Sequence, residues 1–78
     1  MNNEKVLKHI NIALEDFFKK DYEIISFEYD IQVAEDFEVT SLIYIDGYYI
    51  NEKMQDVEIR VIYHIKNNEI FFKKIIKK

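Results

Sequence analysis

The sequence predicts a two-layer α+β fold, an N-terminal amphipathic helix packed on a four-stranded antiparallel meander, in a single domain over residues 1–78. A change of hydrophobic period and a set of turn signals predict it. Apolar residues recur at intervals of three and four as far as Lys20, then at intervals of two from Asp21 onward. Short polar segments, one of them Asn67-Asn68, cut the alternating region into four lengths, and no proline or low-complexity tract interrupts it.

The helix comes first. Between Glu4 and Lys20, Val6, Leu7, Ile10, Ala13, Leu14, Phe17 and Phe18 make one apolar stripe with charged residues between them, over about four and a half turns. Asn2 or Asn3 can cap its first turn, Glu4 sits at the positive end of the helix dipole, and Lys19 and Lys20 sit at the negative end.

In the first strand Ile25, Phe27, Tyr29, Ile31 and Val33 alternate with Ser26, Glu28, Asp30 and Gln32, which gives one buried face and one wet, acidic face. The second strand again places Phe37, Val39, Ile43 and Ile45 on odd positions. Keeping both odd sets on one face puts Val33 opposite Phe37 and leaves a three-residue loop, Ala34-Glu35-Asp36, in which aspartate tolerates a left-handed conformation. Strand two runs to about Ile50, and Gly47 is expected to mark a bend or bulge within it.

After the polar loop Asn51 to Gln55, strand three carries Val57, Ile59, Val61, Tyr63 and Ile65 on one parity. Pairing Ile50 with Asp56 sets Asp46 opposite Arg60 and Tyr44 opposite Ile62, one ion pair and one apolar pair that support the register. Asn67-Asn68 suits a type I′ turn, whose central residues both need positive φ, and leads into a fourth strand from Glu69 to Ile76. This order resembles the layout of a cystatin-like or very small NTF2-like fold. The resemblance is one of layout and implies no activity, but it makes a small-ligand-binding domain, with a pocket between helix and sheet, the third functional reading. Tight packing of Phe17, Phe18, Phe27, Phe37 and Phe72 between helix and sheet would argue against such a pocket.

Composition excludes several classes. Hydrophobic residues make up 49% and aromatics 15% of the chain, which rules out a disordered polymer. The absence of cysteine removes disulfide and thiolate-zinc frameworks and points to the cytoplasm. No stretch approaches the roughly 20 apolar residues that span a bilayer, so no membrane association is expected.

Nor is an enzyme expected: no catalytic residue, cofactor or metal ligand stands out. Glu28 and Asp30 share a face, but paired carboxylates on a strand are ordinarily solvated. His9 and His64 lie on different elements without His-x-x-x-His spacing. Ser26, Thr40 and Ser41 lack a nucleophile elbow, and a single glycine excludes a glycine-rich phosphate loop. Lys73, Lys74, Lys77 and Lys78 beside Phe71 and Phe72 are residue types of a nucleic-acid surface. In a chain of net charge -4 they read better as a charged edge strand, and direct nucleic-acid binding is not expected.

What remains is the distribution of charge. No Lys or Arg occurs from Asp21 to Glu52, and Asp21 to Glu58 holds eleven acids against Lys53, a net charge of -10. The residues that follow hold six bases against Glu69, a net charge of +5. One helix covers one sheet face, so the even face should be open, with Leu42, Tyr44, Tyr48, Ile50 and Ile62 on it and Phe71 and Ile75 following from the Asn67-Asn68 register. That is more than scattered surface apolarity, and Glu28, Asp30, Glu38 and Asp46 border it. The expected partner-binding residues are therefore Glu28, Asp30, Glu38, Leu42, Tyr44, Tyr48 and Ile62, an acidic margin around a tyrosine-bearing centre. The leading reading is a small non-enzymatic binding or inhibitor module that offers this surface to a basic protein, such as a nucleic-acid-handling or defence protein. Phage-encoded inhibitors of such proteins resemble it in size and charge. The alternative is a self-associating structural or scaffold protein, either a homodimer through the even face or an assembly in which an acidic edge meets a basic one.

Overall fold

The computed structural model describes residues 3–36 and 38–78. Helix α1 (Asn3–Lys19) is followed by strands β1 (Glu23–Val33), β2 (Val39–Ile50), β3 (Asp56–Lys66) and β4 (Glu69–Lys77), paired in sequence order as an antiparallel meander. The expected α+β architecture is the one found. At its C-terminal end the helix closes on Asp21, whose φ of 59° and N–H bond to the Phe18 carbonyl at 3.1 Å form a left-handed stop. Asn2, one of the two expected caps, lies outside the described residues.

The β2–β3 register is the expected one throughout, including Asp46↔Arg60, Tyr44↔Ile62 and Ile50↔Asp56. Asn67 and Asn68 have φ values of 54° and 60°, as a type I′ turn requires. Asn51 organises the β2–β3 loop: its Oδ1 accepts from the N–H groups of Lys53 and Gln55 at 2.9 and 3.0 Å.

Three local expectations are corrected. Val33 pairs with Val39 rather than with residue 37, so the first turn has five residues, Ala34 to Glu38. Its closure is a bond from Ala34 N–H to the Glu38 carbonyl at 2.9 Å, with Asp36 Oδ1 accepting from Glu38 N–H at 3.1 Å. Phe37 itself lies outside the described residues. The bulge expected at Gly47 sits across from it on β1, where Ile24 pairs with Gly47, Ser26 with Asp46, and Ile25 is the extra residue. A second bulge, at Phe71, follows the Asn turn: His64 pairs with Phe72 while Ile65 pairs with Ile70. It turns Ile75 to the helix side, opposite Val61, and not to the even face.

The core lies where the helix meets the middle of the sheet. Ala13 and Phe17 pack on Ile43, Ile45, Ile59, Val61, Tyr63 and Ile65, all at most 1% exposed. The helix packs on β2, β3 and β4. A helix about 10 Å across covers two or three strands spaced about 4.8 Å, and the position of α1 leaves most of β1 uncovered. Tight packing of the phenylalanine set is not formed: among its described members, Phe17, Phe18, Phe27 and Phe72, only Phe17 is buried. Phe18 and Phe27 are 48% and 42% exposed, and Phe72, 50% exposed, lies on the opposite face.

Two polar contacts cross between the layers. Tyr63 O–H donates to Asp16 at 2.9 Å, and Lys73 donates to the same oxygen at 3.0 Å, which fixes the helix over β3 and β4. Burial works to raise the pKa of Asp16, but the hydrogen bonds from Lys73 and Tyr63 and the nearby charges of Lys73 and Lys20 outweigh it and hold the carboxyl below its ordinary value. His9 Nδ1 and Ser41 Oγ share a hydrogen bond at 2.6 Å, both residues being buried. Burial, helped by the charge of Lys5, pushes the His9 pKa below its ordinary 6.5. The unfolded chain therefore takes up this proton at a higher pH than the folded protein does. His9's contribution is complete above about pH 6.5 and is lost as pH falls from there toward the folded value. The urea midpoint should decrease between pH 7.5 and 5.5, and His9→Gln should remove most of that decrease.

Candidate functional site

Cross-strand partners share a face, so the registers define both surfaces of the sheet. The helix-free face is built of rows. One runs Glu28, Tyr44, Ile62, Lys74; the next runs Asp30, Leu42, His64, Phe72; a third runs Ser26, Asp46, Arg60, Ile76. Tyr48 follows beside Glu23 and Glu58, and Glu38 lies at the other end, 3.5 Å from the Lys66 ammonium. The structure thus brings the predicted residues Glu28, Asp30, Leu42, Tyr44, Tyr48 and Ile62 onto one face, with Glu38 at its rim.

The centre of this face is more polar than its sequence implies. Arg60 donates to both carboxylate oxygens of Asp46, at 2.9 and 3.0 Å, and Lys78 reaches the same carboxylate at 3.0 Å. The hydrogen bond from Arg60, aided by that from Lys78 and by both positive charges, prevails over burial and holds the Asp46 carboxyl at about 2. Arg60 also lies over the Tyr44 ring, 5.5 Å from its centroid. Tyr44, Tyr48, Leu42 and Ile62 are only partly exposed, while His64 is edge-on to both Phe71 and Phe72. Asp46 and Glu38 are spent on internal pairs. Glu28 and Asp30 on β1 have no ion-pair partner among the described residues.

An apolar surface more exposed than the Leu42, Tyr44 and Ile62 centre is on the helix side of β1, which sequence reasoning assigned to the core. Phe27, Tyr29 and Val33 pair with Ile45, Ile43 and Val39, and so face the helix layer, yet they are 42%, 54% and 57% exposed. By helical spacing Leu7, Ile10, Leu14 and Phe18 lie on the flank away from Asp16 and β4, bordering this strip. The signal that could have found it is width: one helix cannot roof four strands.

His9 is buried against Ser41 on the helix side and His64 stands on the opposite face, so the two histidines are not brought together. Among the described residues no group of three or more His, Asp or Glu side chains is placed to hold a metal ion, and no helix is long and apolar enough to cross a membrane. A shallow depression lies at the end of the sheet, lined by Tyr49, Ile50, Asn51 and Gln55. Searches against protein-family models, curated proteins and solved structures give no significant match. β1 is thus an outer strand, acidic on one side and apolar on the other.

Proposed function

We propose that the protein is a non-enzymatic binding module that engages a basic protein surface through β1 and the acidic margin beside it. The observation that carries the proposal is β1 itself. Among the described residues this eleven-residue strand has a sheet neighbour on one side only, lies outside the helix's main packing on β2, β3 and β4, and has side chains exposed along nearly its whole length. Its outward backbone groups can accept an added strand or loop, Glu23, Glu28 and Asp30 supply charge, and Phe27 and Tyr29 supply apolar anchors. Inhibition of a nucleic-acid-handling or defence protein is the particular use that the acidic field favours, because such proteins carry basic surfaces. Tyr44 and Tyr48 enter as neighbours of the acidic margin rather than as its centre, since Arg60 already occupies the Tyr44 ring.

Charge reversal tests this. Glu28→Lys with Asp30→Lys removes two carboxylates that make no internal pair, so the fold should survive, as a far-ultraviolet spectrum and urea midpoint like those of the native chain would show. A basic partner captured by the native protein at low salt should be lost with the variant, and lost from the native protein in high salt. Capture indifferent to both changes would refute an electrostatic mode.

A further inference from the structure

We infer that the partner of the β1 edge is the β4 edge of a second copy of this chain, the strands pairing antiparallel so that Glu28 stands beside Lys74. This rests on β1 being a binding edge and names what binds it. Both outer strands are long, and each has a neighbour on one side alone, which leaves a row of unpaired backbone groups on each. With four strands in antiparallel order, β1 and β4 run in opposite directions. A copy displaced sideways without rotation therefore sets its β4 antiparallel to β1, with both helices on the same side of a continuous sheet.

Charge decides which edges meet. β1 carries Glu23, Glu28 and Asp30 and no base, whereas β4 carries Lys73, Lys74 and Lys77 against Glu69. Lys73 is engaged by Asp16, but Lys74 and Lys77, like Glu28 and Asp30, have no ion-pair partner among the described residues. Pairing β1 with β1 sets acids against acids with no base between them, and pairing β4 with β4 sets three lysines against three with Glu69 alone to offset them; β1 with β4 joins an acidic edge to a basic one. The rows within the sheet extend the match. The row that begins at Glu28 ends at Lys74, and the row that begins at Phe27 passes through Ile45 and Val61 to end at Ile75. Continued across the junction, these rows place Glu28 beside Lys74 on the open face and Phe27 beside Ile75 on the helix face. The second pair brings together two side chains that are 42% and 45% exposed in the single chain. Such a contact is head-to-tail, so each added copy presents a fresh edge.

The chain has no cysteine, so Glu28→Cys and Lys74→Cys can be made as separate proteins and mixed. Under mild oxidation the mixture should form the disulfide-linked heterodimer of the two variants at least about tenfold faster than the Glu28→Cys protein alone forms its homodimer. In sedimentation at low salt, Glu28→Lys and Lys74→Glu should each weaken self-association by about tenfold or more, and their equimolar mixture should restore it. A native chain that stays monomeric at high micromolar concentration in low salt would overturn the inference, as would cross-linking no greater in the mixture than alone. If Glu28→Lys with Asp30→Lys still abolished capture of a foreign basic protein in that case, β1 would stand as the binding edge and only its partner would have been misassigned.

Discussion

Gly47→Ala is expected to destabilise the protein by about 2–3 kcal/mol, toward the upper end of what overpacking one methyl group costs. A Cβ at this position would meet the Phe17 ring at 2.6 Å and would press still harder on the Glu23 carbonyl of the neighbouring strand. The ring could yield by changing rotamer, but the carbonyl belongs to the backbone of β1 and moves only if the strand moves. No positive φ is involved, so the requirement for glycine here is one of space. Urea denaturation provides the measurement, and a loss below about 0.5 kcal/mol would mean that β1 approaches β2 less closely than described.

Phe17→Ala should cost more, about 3–5 kcal/mol, the range for emptying a fully buried aromatic site. Phe17 is wholly buried and stands edge-on to Tyr22 with ring centroids 5.2 Å apart, while Tyr22 in turn lies 5.7 Å from Tyr49. Its loss opens the end of the core where helix, β1 and β2 converge. In a chain of 78 residues, whose total stability is on the order of 4–12 kcal/mol, a loss of this size removes a large share of the folding free energy. Phe17→Leu is the milder companion. Combined with Gly47→Ala it should be less damaging than the two single losses added together, because the shorter side chain vacates the space that the new methyl enters; strict additivity would show that the ring and Gly47 do not compete.

The registers that could be read from the sequence were those marked by paired chemistry. Asp46 opposite Arg60 and a five-residue apolar alternation in β3 fix β2 against β3, and two asparagines with positive φ fix the last turn. Where side chains give no such marker the reading failed. Parity alone cannot tell a three-residue from a five-residue turn, since both keep Val33 on the face of the odd residues. The Phe71 bulge likewise leaves no trace in an alternation that already fades after Phe72, and it moves Ile75 off the even face to which alternation assigned it. The acidic positions of the candidate surface were legible because alternation places them together. The internal neutralisation of Asp46 by Arg60 and Lys78 was only half legible, because Arg60 follows from the register whereas Lys78 arrives from the chain end. The exposed strip on β1 was missed because alternation reports which residues are apolar, not which of them the helix is wide enough to cover.

β1 has β2 as its one neighbour in the sheet, and the helix packs mainly on β2, β3 and β4. Its peptide groups therefore have fewer barriers to transient opening than those of the central strands, and protection against solvent exchange should decline from β3 toward this margin. Any occupant of the edge thus does more than attach to a finished surface: it supplies the burial and the second row of hydrogen bonds that would bring this strand up to the stability of its neighbours.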